Sequence, residues 1–239
     1  MSLYRDQGVV LRTMRLGEAD RIVTMVTREH GKVRAVAKGV RRTTSKFGGR
    51  LEPLSHVVMM CWAGRELDII NQAEVIDSFR AIRENLGRVQ KAYSMLEVVD
   101  QLSMERHVNP RMYDMLVGGL RVLATTDPPL MPAAFFLKAV ALDGASPILD
   151  VCVSCGSDSG LVAFDIIEGG VLCRSCRRGR PVSPGALDLI RRILGGSLGS
   201  ALAEPAGEVV GEVSDLAGEA IELHLDRRLR SLRTVSGSW

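Results

Sequence analysis

Aromatic side chains are scarce in this 239-residue chain, at 4% of residues, and only Tyr4, Phe47 and Trp62 fall in residues 1–78. Extensive base stacking and strong sequence preference are therefore not expected of any nucleic-acid contact made there. No apolar run approaches the roughly 20 residues needed to cross a bilayer. The most apolar stretch, 131–142, is interrupted by Lys138 and reads as a buried helix. The N-terminal Met1-Ser2-Leu3-Tyr4-Arg5-Asp6 is followed by no apolar leader, which predicts a cytoplasmic protein. No G-x-x-x-x-G-K-[ST] string occurs, so ATP hydrolysis by a P-loop is not indicated. His30, His56, His107 and His224 have no Ser, Cys or acid at a catalytic spacing, and no His-x-Glu precedes Cys152 as a deaminase would require. These absences point away from an enzyme.

What is present is ordinary globular material, 46% hydrophobic and 25% charged, long enough for two or three compact units. The net charge of +3 says little, but its distribution is uneven. Residues 1–80 hold 14 lysines and arginines against 9 acids, whereas 81–150 hold 7 against 8 and 182–239 hold 6 against 8. The basic character belongs to the N-terminal third.

Segments 8–14, 21–28, 32–38, 57–62 and 67–76 are rich in Val, Ile and Thr and are separated by turn signals such as Leu16-Gly17-Glu18 and Ala63-Gly64-Arg65. Five short strands in about 75 residues predict an OB-fold barrel over 1–78. Beyond Ser78 the apolar period changes to 3.6, with Val89, Tyr93, Leu96 and Val99 on one helix and Met112, Met115, Leu116, Leu120 and Leu123 on the next. Asn109-Pro110 reads as a helix start and Thr126-Asp127-Pro128-Pro129 as a stop. The pattern predicts an α+β chain: barrel 1–78, helical part 79–149, cysteine-bearing insertion 150–181, and helical part 182–239. The last part holds a helix opened by Ser183-Pro184, a flexible link at 195–199, and a long helix over about 212–232 whose basic end, 226–233, complements the helix dipole.

The insertion carries Cys152-Val153-Ser154-Cys155 and Cys173-Arg174-Ser175-Cys176, a C-x2-C-x17-C-x2-C spacing. Two residues between cysteines let a tight knuckle aim both sulfurs at one point, and two knuckles complete a tetrahedron around Zn²⁺. Gly156, Gly169 and Gly170 supply turns, and 161–164 with 171–172 read as the strands of a zinc ribbon. Four thiolates leave no open position, so the metal would be structural. A thioredoxin-like redox use of Cys-x-x-Cys is the competing reading, but no βαβ pattern surrounds it. Cys61 stands alone in an apolar run and reads as a small buried hydrophobe.

Between Arg28 and Arg50 eight cations face a single acid, Glu29. On strand 32–38, Val33, Ala35 and Ala37 alternate with Lys32, Arg34 and Lys38, so one face turns inward and the other is positive. The following 39–50 segment, with Arg41, Arg42, Lys46 and Arg50, is expected to be a mobile loop. Lys32, Arg34, Lys38, Arg41, Arg42, Lys46 and Arg50 are thus candidate phosphate contacts, for single-stranded and double-stranded DNA alike.

Several strings in this order resemble the RecO family. They include Gly8-Val9-Val10-Leu11, Gly17-Glu18-Ala19-Asp20, His30-Gly31-Lys32, Ala37-Lys38-Gly39-Val40-Arg41 and Leu51-Glu52-Pro53-Leu54. Tyr93, Leu96-Glu97, Asn109, Gly144, Pro147 and both zinc strings add to the resemblance, which covers nearly the whole chain. It implies a non-enzymatic, nucleoid-associated mediator of recombinational DNA repair. Such a protein binds and anneals DNA, cooperates with RecR, contacts single-strand-binding protein, and helps load RecA at gaps. Ala145-Ser146 before Pro147 departs from the family's usual bulky aromatic. The competing readings are a zinc-ribbon transcription regulator, contacting DNA through Arg174, Arg177, Arg178 and Arg180, and a zinc-dependent nucleic-acid-processing enzyme.

Overall fold

The computed structural model describes residues 2–233, the side chains of Leu232 and Arg233 excepted. The last six residues of the expected C-terminal helical part, 234–239, lie outside the described residues. The chain divides into two compact units, Met1–Thr125 and Thr126–Trp239. No described helix is long and apolar enough to cross a membrane.

In the first unit, β1 (Leu3–Leu16), β2 (Asp20–Thr27), β3 (Gly31–Ala37), β4 (His56–Trp62) and β5 (Asp68–Asp77) close into a barrel in the order β1-β2-β3-β5-β4. Every neighbouring pair is antiparallel except β3 and β5, which run parallel through Ala35/Asp68 and Val36/Ile69. This is the five-stranded OB arrangement expected. Alternation sends Val10, Val23, Met25, Val33, Ala35, Val57, Met59 and Ile70 into the barrel. Cys61 is buried among them, and burial pushes its thiol up to about 12, so it packs as a hydrophobe.

Three helices follow: α1 (Arg80–Arg83), α2 (Leu86–Leu102) and α3 (Pro110–Thr125). Asn109 Oδ1 accepts the Met112 N–H at 3.0 Å and Pro110 takes the first helical position, the cap read from sequence. On α2 the buried side chains are Ala92, Ser94, Met95, Leu96, Val98 and Val99, whereas Tyr93, expected on the apolar face, is exposed. α2 lies against β1, and α3 against β1 and β2, on the outer surface of the barrel. Val9, Thr24 and Val26 point away from the barrel interior and are still buried. Contact at β3 is close: Arg106 N–H donates to Lys32 O at 3.0 Å, and a Cβ on Gly31, where φ is +69°, would lie 2.1 Å from His107 O. Only glycine fits there.

One buried carboxylate ties the α2–α3 connection to the barrel. Asp68, fully buried, accepts from Tyr4 Oη, from Gly64 N–H at 2.8 Å and from Arg106 Nη2 at 2.6 Å. Burial alone would raise its pKa, but Arg106, Tyr4 and the Gly64 N–H outweigh it and hold the carboxyl below its ordinary 3.8.

The second unit is built on α4 (Met131–Leu142), which is buried on most sides, as its apolar sequence implies. The insertion supplies β6 (Leu161–Asp165), β7 (Gly170–Cys173) and β8 (Arg180–Pro181). Then come α5 (Pro184–Leu194), α6 (Leu198–Leu202), α7 (Glu208–His224) and α8 (Arg230–Arg233). Ser183 caps α5 by accepting the Ala186 N–H at 3.1 Å. The expected flexible link at 195–199 is shorter than the glycines suggested: Gly196, at φ +94°, ends α5 and α6 begins at Leu198. The expected helix over 212–232 begins earlier, at Glu208, and stops at His224. Asp226 adopts φ +49°, with Asp226 N–H on Leu223 O and Arg227 N–H on Glu222 O, so the chain turns out of the helix. The basic 226–233 stretch thus begins beyond the last turn of α7, whose C-terminal carbonyls the Asp226 and Arg227 N–H groups meet.

Asp68→Asn should lower the unfolding free energy by about 2 kcal/mol near pH 7, the order of a charge-assisted buried hydrogen bond. A depressed carboxyl stabilises above its unfolded pKa and loses that contribution as pH falls through the folded value, so the gap between variant and parent should close in acid. Denaturant unfolding at pH 7 and pH 3 checks both the size and the sign.

Candidate nucleic-acid interface and metal centre

The seven candidate cations separate into two groups. Lys32 and Arg34 do point outward from β3, but the chain's own helical segment uses them. Lys32 Nζ donates to Asp100 O at 2.6 Å and lies 3.6 Å from Asp100 Oδ1, leaving its side chain 14% exposed. Arg34 pairs with Glu105 at 3.4 Å, and the neighbouring Arg12 and Arg28 pair with Asp100 at 2.6 Å and Asp114 at 4.0 Å. The β1–β2–β3 face, where OB folds commonly bind oligonucleotides, is thus covered and its cations are answered by carboxylates from α2, α3 and their connection.

Lys38, Arg41, Arg42, Lys46 and Arg50 behave differently. All five are exposed on the connection between β3 and β4, and none forms an ion pair among the described residues. Three of them bond only to backbone oxygens: Arg41 to Glu18 O at 2.9 Å, Lys46 to Asn71 O at 2.7 Å, Arg50 to Lys46 O at 2.6 Å. Such contacts leave the positive charge unneutralised. The segment is also better anchored than the mobile loop expected, because Phe47, Leu51 and Leu54 are buried and Phe47 enters the barrel core. Arg41 N–H bonds Ala19 O at 3.0 Å, and Gly39 N–H bonds Asp20 Oδ1 at 2.7 Å. The basic segment is therefore fastened to the β1–β2 loop at its start and, through Lys46, to β5 further on. Phe47, being buried, offers no stacking surface.

In the second unit the four cysteine sulfurs all lie within 4.8 Å of one another, with Cys155 and Cys173 at 3.7 Å. A tetrahedral metal with sulfur bonds of about 2.3 Å would need sulfur–sulfur edges of about 3.8 Å, so the donor set fits a four-thiolate ion. The knuckles form as the spacing implied: Gly156 N–H bonds Cys152 O at 2.8 Å with Gly156 at φ +76°, and Cys176 N–H bonds Cys173 O at 3.1 Å. The Cys173, Cys155 and Ser154 N–H groups lower the Cys152 thiol to about 6, favouring the thiolate a metal requires. At Cys155 the Ser157 N–H acts in the same direction, but shared hydrogen bonds with Cys152, Cys176 and Cys173 outweigh it and raise that thiol to about 12. In the absence of a cation the four groups compete for protons, as closely spaced thiols must. The buried cluster beneath them is small, Cys152, Ala163, Leu172 and Cys173, so two ligands are themselves half of that core.

Arginines near the knuckles are mostly engaged. Arg178 bonds Asp165 at 2.8 Å, and Arg180 pairs with Asp215 at 3.1 Å and with Glu219. Arg174 and Arg177 remain exposed. An apolar cavity of about 400 Å³ lies near this ribbon, lined by Leu137, Val140, Pro147, Ile148, Phe164 and Leu223 among others. Ala145 and Ser146 also border it, so two small residues help leave that space open.

Comparison with known proteins bears on both units. Residues 1–79 match the family described as Recombination protein O N terminal, and residues 83–233 match Recombination protein O C terminal. A DNA repair protein RecO from Frankia casuarinae is 43% identical over 238 residues, covering 97% of this chain and 98% of the relative.

Replacing Cys152 or Cys173 with Ser should abolish metal binding, which elemental analysis of reduced, chelator-free parent protein should find near one ion per chain. Each variant should also melt well below the parent. Metal-free parent protein, or variants with full metal content, would contradict the four-thiolate site.

Proposed function

The chain belongs to the RecO family of DNA repair proteins, and from that premise we propose that it is a DNA-binding, strand-annealing recombination mediator with no catalytic site. The observation that carries this reading is the set of five exposed, unpaired cations, Lys38, Arg41, Arg42, Lys46 and Arg50, on one anchored segment of an OB barrel. Annealing requires that two polyanionic strands approach each other. Cations that neutralise phosphates and release counterions reduce that repulsion, while base pairing itself supplies the specificity. No nucleotide need be consumed and no reacting group is needed.

Lys32 and Arg34 contribute at most through small rearrangements of their ion pairs, which at partly exposed sites are worth ~1 kcal/mol or less each. The metal we assign to Cys152, Cys155, Cys173 and Cys176 is a single Zn²⁺. Thiolate ligands at tetrahedral spacing favour it, and with all four positions filled it would hold the ribbon together rather than activate water. Family membership supports cooperation with RecR, contact with single-strand-binding protein, and assistance to RecA on gapped DNA, in the cytoplasm at the nucleoid. In this reading 1–78 is the nucleic-acid module, 150–181 the zinc insertion, and 79–149 with 182–239 the helical framework. A zinc-ribbon regulator is less well supported, since Arg178 and Arg180 are committed to carboxylates.

Joint reversal of Arg41, Arg42 and Lys46 to Glu should weaken single-stranded DNA binding by about 100-fold near physiological salt. It should also flatten the salt dependence by about two units of slope, given roughly 0.7 ion per phosphate contact. Reversal of Arg174 and Arg177 should leave both within about threefold of the parent. Titrations at several salt concentrations, with strand annealing measured in parallel, test this. Unchanged affinity in the triple variant would remove the basic segment from the account.

A further inference from the structure

We propose that the barrel rim formed by Leu3, Trp62, Ile69 and Val36 is a stacking site for an unpaired nucleic-acid base, which lies on Trp62 while adjacent phosphates engage Arg5, Arg65 and Lys38. The proposal rests on the nucleic-acid reading above and adds to it a means of telling single strands from duplex.

Strand register assembles this rim. Leu3 pairs with Trp62, Trp62 with Ile69, and Ile69 with Val36, so the four side chains form one row across β1, β4, β5 and β3. Their neighbours in sequence, Tyr4, Cys61, Ile70, Ala35 and Ala37, belong to the barrel core, so the row itself faces outward. Trp62 is 39% exposed and Leu3 45% exposed, with Ile69 and Val36 half-buried. On the β1–β2 side the outward apolar residues Val9 and Val26 are covered by α2 and α3, whereas Met14, Leu16, Val75 and Ile76 elsewhere on the strands are exposed. At this rim Leu3 and Trp62 remain exposed, and an apolar band carrying a tryptophan is open to solvent.

The charges around the band fit a polyanion. Arg5 sits in the next row, opposite Met60, which places its Cα about 8 Å from that of Trp62, within an arginine's reach. Arg65 lies in the β4–β5 loop immediately after Trp62, and Lys38 follows β3 beside Val36 and Ala37. All three are exposed and form no ion pair among the described residues. The carboxylates in the adjoining loops are Glu66 and Glu18. Two further acids at this end of the barrel are engaged: Asp20 accepts the Gly39 N–H at 2.7 Å, and Asp68 is buried and held by Arg106, Tyr4 and Gly64.

The β1–β2 and β4–β5 loops, through which OB folds also grip oligonucleotides, both open onto this rim. The basic segment is tied to the first of them through Arg41 and Gly39. A strand could therefore pass from the five loop cations onto Trp62 without crossing the face closed by the helices. An aromatic platform takes any base whose face is free, whereas bases within a duplex are already stacked on each other. The loop cations attract both forms of DNA, and Trp62 would favour only one.

Trp62 and Trp239 are the two tryptophans in the chain, so Trp239→Phe leaves Trp62 as the sole tryptophan, which is excited selectively at the red edge of the absorption band. In that background, saturating oligothymidylate should quench Trp62 fluorescence, and an abasic oligomer of equal length should bind without quenching. Trp62→Ala should weaken single-strand affinity by about tenfold or more, leave duplex affinity within about twofold, and be largely rescued by Trp62→Phe. Occupancy is followed independently by anisotropy of a labelled strand. Binding without quenching, or equal losses for single strands and duplex, would overturn the stacking site and leave the basic-segment reading standing. Failure of the parent protein to bind any strand would overturn both.

Discussion

Closure of one barrel face by the chain's own helices is the constraint on which the rest of the first unit depends. An OB barrel has a small interior, and β2 is buried on both sides only because α2 and α3 supply a second apolar layer over Val9, Thr24 and Val26. That layer brings Asp100, Glu105 and Asp114 to Lys32, Arg12, Arg34 and Arg28. The close approach of His107 O to Gly31 leaves no room for a side chain, and Asp68 fastens Arg106 from the far side of the connection. The cations are thereby divided over the surface: those on the covered face are paired within the fold, and those beyond β3 form no ion pair among the described residues.

The second unit meets its stability requirement differently. Its helices bury a conventional apolar core around α4, but the ribbon buries too few side chains to hold itself. Four thiolates that could hold a metal would supply what hydrophobic burial does not, with two of them inside the cluster and Cys155 exposed. In the function proposed above the zinc would be structural, since four thiolates would leave no open coordination position, and DNA binding would fall to the charged barrel segment.

Sequence patterns carried much of this architecture because the relevant physics is local. Alternation over 8–14, 21–28, 32–38, 57–62 and 67–76 located all five strands, the Asn109 and Ser183 caps marked helix starts, and the spacing of four cysteines matched the cluster of sulfurs. The unread features depend on partners distant in the chain. Lys32 and Arg34 alternate as exposed cations should, yet residues some seventy positions on engage them. Tyr93 falls on an apolar period but faces solvent because α2 turns Ala92, Met95 and Val99 inward. Asp226 ends α7 through a left-handed conformation seldom adopted by a non-glycine residue, a signal that a helical period does not contain. The anchoring of the 39–50 segment hinged on Phe47, whose apolar character was visible but whose destination in the barrel core was not.

Hydrogen–deuterium exchange with and without a single-stranded oligonucleotide addresses most directly the claim that DNA avoids the helix-covered face. The account predicts slowed exchange in 38–50 and 62–67 when the strand is bound, with β2, the outer half of β3 and the 100–109 connection unaffected. Protection across 22–34 together with faster exchange in 100–109 would mean that DNA displaces the helical cover, and would contradict the account.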